Sequence, residues 1–594
     1  MDKNPGTSDQ KNLFLVMILC VLALVGGDFL VRMIRGPQEP TEQPAPTRSA
    51  TTQTHSESAS NAVNNTGMHK PFQEAPLPLG KALDKGPRLH FKTASLQGSF
   101  NLKGAFLDDA VLRNYQETVD PKSPLVRLLS PHQTETPYYV GWVWHTDDPT
   151  LQSQLPNAQT VWKAQPLESK PGTWEGRLTW TSPNGLAFEK DIRIDAKGMI
   201  HADVRVTNKT GTPATLRLVQ KAWRAPPKTE GQMLVHEGFV GYVGGAFQEV
   251  GYDKIKDSGT KNLSSARGWL GITDKYWLVA LAPVGQTATQ MTFEKPGDFG
   301  TKGPVHPRAP FSVSSAFDAL SIPAGGTISI PTRVFAGAKN LNTLDAYEKS
   351  ENIPHFDLAV DFGWFYFLTK PMTYVLVWLN KNLGSMALTI LVFTILLKIL
   401  FFPLANRSYR SMARMKVVAP KIEEIRKRLK GDPQRMGQEV MAIYKREKVN
   451  PVSGIFLMLL NIPFFFGLYK VLAVSIEVRH APFWGWIRDL SAPDPTNLFN
   501  LFGLLPFNTP DFMQISLWTC LMAGSMVLQT SLSPATTDKT QRNIMMFGMP
   551  IMFAFFMKGF SAGVLIYWTF QNLFGMAQQW FITQRLANAP QSNK

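Results

Sequence analysis

Cysteine is nearly absent from this chain: 594 residues contain two, Cys20 and Cys520. Both fall inside apolar runs, so the sequence offers neither a disulfide framework nor a paired-cysteine metal site. No GxxxxGK[ST] phosphate loop and no HExxH pair occurs either, which removes the usual sequence routes to nucleotide and zinc chemistry. Negative charge is also in short supply, with 45 acidic residues against 61 basic ones and a net charge of +16. An excess of that size suits an anionic partner, and its position decides which. Thirteen Lys/Arg against five Asp/Glu fall between Ala405 and Asn450, flanked by apolar segments. That placement fits a cytoplasmic loop of a membrane protein and gives no reason to expect DNA binding.

The apolar segments confine function to a few residues. Leu383 to Leu404 has the length of a spanning helix, roughly 20 residues, and its one charge is Lys398. A lysine at a helix centre costs about 2.5–3.5 kcal/mol on insertion scales, so such residues usually face a bundle interior or a wet cavity. Snorkelling is the alternative, because Leu404 is only about 9 Å further along at 1.5 Å per residue. Four more spans are predicted at Val452–Ile476, Phe512–Ser531, Ile544–Met557 and Ala562–Ile582. Polar and aromatic residues interrupt these runs: Thr394, Asn461, Gln529, Tyr567, Trp568, Gln571 and Asn572. Together with Lys398 they can line one hydrated groove, although Thr often bonds its own helix and Tyr/Trp favour interfaces.

With the basic loop inside, the helix of Lys398 runs inward and the chain before it lies outside the cytoplasm. The predicted organisation is an uncleaved anchor at residues 1–35, a Pro/Thr/Ser/Gln linker at 36–70, and a domain at 71–350. An amphipathic helix follows at 361–382, either on the outer leaflet or as a core helix of the external domain. The Lys398 span comes next at 383–404, a loop at 405–450, four spans within 451–585 and a short tail at 586–594. Both termini are then cytoplasmic. In the external domain the pattern has period two: Leu178–Thr181 and Leu186–Ile194 flank Asn184-Gly185, and a second alternating pair follows at 201–208 and 214–223. Short strands punctuated by Gly and Pro predict an antiparallel sandwich.

In the basic loop, Gly431-Asp432-Pro433 separates two helical stretches, Asn406–Lys430 and Gln434–Lys448. Ile422, Ile425 and Leu429 can face Met436, Val440, Ile443 and Tyr444 across an antiparallel hairpin. Arg426, Lys427 and Arg428 are topology determinants or contacts for anionic partners such as ribosomal RNA or lipid headgroups. One catalytic pattern matches: Gly559-Phe560-Ser561-Ala562-Gly563 reads GxSxG. It lies in a turn between two apolar helices and not in the strand-to-helix elbow a nucleophile needs.

The stretches Lys398-Ile-Leu-Phe-Phe-Pro-Leu, Ser411-Met-Ala-Arg-Met, Tyr444-Lys-Arg-Glu-Lys-Val-Asn-Pro451, Pro463-Phe-Phe-Phe-Gly-Leu-Tyr469 and Ser561-Ala-Gly-Val-Leu-Ile-Tyr567 resemble the YidC/Oxa/Alb membrane protein insertases. The anchor and large external domain are similar to the Gram-negative YidC type. The resemblance implies an inner-membrane protein of five core helices around a hydrophilic groove open to cytoplasm and lipid, with residues about 36–382 periplasmic and a β-supersandwich at 71–350. It implies an insertase and folding chaperone rather than an enzyme, working without metal or cofactor on nascent membrane proteins, alone or with the Sec translocon, with transient ribosome contact. In that setting Lys398 attracts acidic residues of the substrate, Thr394 and Gln529 keep the groove wet, and the inserting helix slides along Phe465, Tyr567 and Trp568. The chain departs from the family in carrying Lys398 where arginine is usual, and in lacking a proline in the turn at 560–563. Two other classes remain: an intramembrane protease using Ser561 and Lys398, and a sugar-modifying envelope protein using Glu237 and Glu249.

Overall fold

The computed structural model describes residues 75–587 apart from 226–234, 266, 285–288, 295–310, 364, 430, 448–452, 506–508, 511–512 and 533–541. The predicted anchor and linker, Trp364, Lys539 and the end of the tail lie outside the described residues. From Arg88 to Ala338 the described chain is almost entirely strand, arranged in a ten-stranded and a nine-stranded sheet whose pairings are antiparallel. Alternation is the cause. Leu186, Phe188, Lys190, Ile192 and Ile194 all point inward along one strand, as the period of two dictates. That strand pairs with Trp174–Thr181 through a turn in which Gly185 adopts φ +101°, a value that glycine reaches without a Cβ clash. Leu178, Phe188 and Val204 of the nine-stranded sheet and Trp144, Leu218 and Val313 of the ten-stranded sheet share one core.

The second alternating pair does not form a hairpin. Met199–Asn208 belongs to the nine-stranded sheet and pairs with Leu186–Ile194 and Thr327–Ala338. Ala214–Arg224 belongs to the other sheet, between Tyr138–His145 and Phe311–Ala316. Alternation reports which face is buried and not which strand is the partner. The crossover is held by the Asn208 amide, which donates to the carbonyls of Thr212 at 2.8 Å and Ile322 at 3.0 Å.

Helix α1 (Leu341–Ser350) starts at Asn340, whose side chain accepts from Thr343 N at 3.0 Å. It buries Leu341, Leu344 and Tyr347 against Met199, Trp269 and Phe335 of the sandwich. Helix α2 (Tyr366–Leu383) is one-sided: Met372, Leu376 and Leu379 are buried while Phe367 and Trp378 are 73 % and 63 % exposed. Helices α3 (Met386–Leu400), α4 (Phe402–Arg428), α5 (Pro433–Arg446), α6 (Ser453–Val474), α7 (Leu517–Leu532), α8 (Met549–Met557) and α9 (Ala562–Ala587) complete the chain.

Among the described residues, no single helix is long and apolar enough to cross a membrane, and one bent pair is: α3 with the start of α4, at 63°. The predicted helix at 383–404 therefore stops at Leu400. Pro403 explains the break, because inside a continuous helix its ring would clash with the carbonyl of Ile399, whereas in the first turn of α4 its missing N–H costs nothing.

The same core reaches from the sandwich into α6. Val360 and Phe362 pack with Ala473 and Val474, and Lys470 pairs with Asp361 at 2.6 Å. Just past α6, Asn340 donates to Glu477 at 2.8 Å, and the Arg479 guanidinium lies over Trp277 while donating to the Gln116 and Glu117 carbonyls.

Residues 411–452 group apart. There Asp432 caps α5 by accepting from Arg435 N at 3.0 Å, with Pro433 at the first position. Val418 and Ile422 of α4 bury against Val440, Ile443 and Tyr444 of α5. Ile425 is buried as well, Arg428 pairs with Glu439, and Lys421 pairs with Glu447 at 3.0 Å. Lys427 pairs with Glu423 on its own helix.

One inward position of the strand Leu186–Ile194 carries a charge. Lys190 is wholly buried, its ammonium 4.5 Å from the Trp162 ring centre and 3.4 Å from the Trp142 carbonyl. Burial lowers it from 10.5 to about 7. The folded state thus holds this proton less tightly than the unfolded state, so the charge costs stability below about pH 7 and the cost fades as pH rises toward 10.5. Lys190→Met, similar in volume and uncharged, should raise the melting temperature at pH 6 by several degrees, since each kcal/mol is worth roughly 2–4 °C in a domain of this size. Calorimetry at pH 6 and pH 10 checks it, with the gain shrinking at the higher pH; a gain equal at both would contradict the account.

Candidate functional site

Lys398 lies two residues before the end of α3 and reaches α9 at Gly575. A Cβ built on Gly575 would lie 3.4 Å from Lys398 Nζ, 3.5 Å from Gln529 Nε2 and 4.0 Å from the Tyr409 hydroxyl. Four helices thus bring an ammonium, an amide and a phenol around one glycine, leaving room there for little more than a methyl. Beside it opens a cleft of about 420 Å³ lined by Ile395, Lys398, Ile399, Phe402, Pro403, Phe574, Gln578 and Phe581. Its walls are apolar except for Lys398 and Gln578. The Gln571 Oε1 and Gln578 Nε2 atoms are buried without a protein hydrogen-bond partner. Such atoms suit water or an extended peptide, since a buried amide left unbonded costs about 1–3 kcal/mol.

The other predicted groove residues divide. Gln529 is at the Lys398 cluster. Thr394 is fully buried, and its hydroxyl donates to Ile390 of its own helix at 2.7 Å, so it is not poised to wet a groove. Phe465 meets Trp568 at 4.4 Å and Tyr567 at 6.5 Å between ring centres. Tyr567 is 2 % exposed and belongs to the bundle core, so it supports this aromatic cluster from behind and offers no sliding surface. Phe465 and Trp568 keep partial exposure, as does Asn461. Asn572 donates to Ser525 at 2.9 Å, which joins α9 to α7.

Tyr409, Gly575 and Gln578 are site residues that the sequence reading passed over. Tyr409 falls in the stretch assigned to the basic loop. Gln571, Gly575 and Gln578 share one face of α9 at the i, i+4, i+7 spacing, a signal that was present.

Ser561 is elsewhere. It sits fourteen residues before Gly575, about 21 Å along α9 at 1.5 Å per residue, so Lys398 cannot serve it as a base. Its turn is closed by main chain: Ala562 N donates to Ala492 O at 2.8 Å, Gly563 N donates to Leu490 O at 2.9 Å, and Ser561 bridges to Pro493. In the sandwich, Glu249 faces His236 at 3.3 Å, while burial and then Asp274 push the Glu237 carboxyl up.

Residues 88–375 match the family model described as YidC periplasmic domain, and residues 378–589 match the model described as 60Kd inner membrane protein. Proteins named membrane protein insertase YidC are similar along nearly the whole chain. The Granulibacter bethesdensis protein is 41% identical over 593 residues, 97% of this chain and 98% of that one. The Beijerinckia indica protein is 40% identical over 596 residues, 97% and 96%. The Brucella suis protein is 42% identical over 517 residues, 86% and 83%.

The space at Gly575 admits a methyl and little more. Gly575→Ala should therefore unfold like the parent protein, whereas Gly575→Leu overpacks Lys398 and Gln529 and should lose about 1–3 kcal/mol. Denaturation of the two variants in detergent measures the difference; equal stability would mean that the four helices do not close on this glycine.

Proposed function

Because the chain belongs to the YidC family of membrane protein insertases, inner-membrane proteins with a periplasmic domain, we propose that the cleft beside Lys398 receives the polar flank of an inserting segment. The observation that carries this reading is the convergence of Lys398, Gln529 and Tyr409 on Gly575, next to buried amides and an apolar wall. A polar flank must cross hydrocarbon about 30 Å thick. Lys398 offers acidic residues an ion pair part of the way, and the amides replace water around the peptide. The apolar rim of Ile399, Phe402 and Phe581 then leads the hydrophobic segment toward lipid. Burying such a segment releases about 25 cal/mol per Å² of apolar surface, which outweighs a few polar contacts and lets the substrate leave.

Helix length adds to the effect. Helix α3 has 15 residues and α7 has 16, about 22 and 24 Å at 1.5 Å per residue. Both fall short of an average hydrocarbon core, and a bilayer meets short helices by thinning. In this reading α3, α6, α7, α8 with the turn before it, and α9 form the membrane core, and the α4–α5 hairpin stands in the cytoplasm. The sandwich and the one-sided helix α2 lie on the periplasmic side, with both termini inside. The charge asymmetry of 405–450 supports that orientation. The exposed basic face of the hairpin suits ribosomal RNA or lipid headgroups, and cooperation with the Sec translocon is a further part of the proposal. Every step is binding and partition, and none makes or breaks a covalent bond.

Two experiments test it. Lys398→Arg should keep insertion, whereas Lys398→Ala should impair substrates with acidic external tails at least several-fold more than neutral ones, read by protease protection in inverted vesicles. Equal effects on both substrate classes would remove the attraction step. Ile443→Asp places a carboxylate against Val418 and Ile422 and should open the hairpin at a cost of a few kcal/mol. Crosslinking from α5 to ribosome-bound nascent chains should then fall while topology stays the same; unchanged crosslinking would reduce the hairpin to an orientation signal.

A further inference from the structure

We propose that Glu348, His355 and Asp357 bind one divalent transition-metal ion where the chain leaves the sandwich for α2. Glu348 comes from the last turn of α1, and Asp357 from the short three-ten turn Phe356–Ala359 that follows. His355 precedes that turn. One ligand atom from each lies within 4.8 Å of the other two. Zinc bonds of about 2.0–2.2 Å place ligand atoms nearly 3.5 Å apart, so modest side-chain rotation closes the set without moving the backbone.

The surroundings favour a dication over a structural ion pair. Three carboxylates meet here, Asp345, Glu348 and Asp357, and Lys370 is the cation that answers them, 2.7 Å from Asp357 and 3.8 Å from Asp345. Three carboxylates thus gather around one ammonium, which leaves room for a second cation among them.

Asp357 is already braced for the role. Its Oδ2 accepts from both the Lys370 ammonium and the Tyr366 hydroxyl, the kind of outer contact that orients metal-binding carboxylates. The His355 ring packs 4.6 Å from Tyr242 of the sandwich, and its backbone holds φ +49°. Asp357 is buried and His355 is exposed, so the site is anchored from within and open to solvent. The imidazole selects a transition ion, because magnesium and calcium prefer oxygen ligands throughout. The spacing of seven and two residues matches no metal motif, which is why the sequence reading expected none. The inference is independent of the groove and of any particular substrate.

The test uses full-length protein stripped with chelator and then dialysed against micromolar Zn²⁺. Wild type should retain one equivalent that His355→Asn and Glu348→Gln each bind at least tenfold more weakly. Asn tolerates the left-handed backbone at 355, and Gln keeps the shape of Glu348. A readout on the unaltered protein runs alongside: Zn²⁺ should block carbethoxylation of His355 by diethyl pyrocarbonate, followed by peptide mass spectrometry. Equal zinc binding by all three proteins, a loss in one variant alone, or His355 modified at the same rate with and without Zn²⁺ would overturn the site.

Discussion

Everything in the helical half is arranged around one difficulty, an ammonium that must be kept where most neighbours are hydrocarbon. The chain answers it by subtraction. Gly575 withholds a side chain from α9, and the ends of Lys398, Gln529 and Tyr409 close around the place where a larger one would stand. The charge is thereby kept at the seam of four helices, with its neighbours Ile399 and Leu400 exposed. Lysine suits such a seat, since its ammonium is a compact point charge on a flexible stem. An arginine fork asks for a planar, bidentate partner, and the groups gathered at Gly575 are amide and phenol. A lysine is thus matched by the local shape.

Lys190 and Lys398 make an instructive pair. Lys190 lies on a strand whose other inward residues are aliphatic or aromatic, and two indoles flank it. Lys398 lies beside a cleft with amides. The first is a stability cost carried by a packed core. The second stands at an opening where charge can be used, and the two could not be told apart by residue type alone.

The sheet alternation, the Asn184-Gly185 turn and the contact between the hairpin arms at Ile422 and Ile443 were legible in the sequence, because each depends on a local period or on one residue's backbone freedom. Strand partners at 199–224 were not, since alternation fixes a face and leaves the neighbour open. The end of α3 was misread because hydropathy counts Phe401 to Leu404 as membrane-like, while Pro403 acts through backbone geometry that hydropathy does not weigh. At the site, Lys398 and Gln529 announced themselves as polar interruptions of apolar runs. Gly575 could not, because its contribution is the absence of atoms. Thr394 and Tyr567 were misassigned for the opposite reason: their polar atoms look available in one dimension and are spent or buried in three.

The turn at Ser561 has a different sort of consequence. It is fastened to Leu490–Pro493 by peptide groups, and peptide groups are the same whatever residue carries them. Packing adds two fixed points: Ala562 is wholly buried in the helical core, and any Cβ at Gly563 would stand 3.0 Å from the Leu490 carbonyl oxygen. A missing proline in such a turn leaves the fastening in place. The closure of this end of the molecule is thus a property of its backbone.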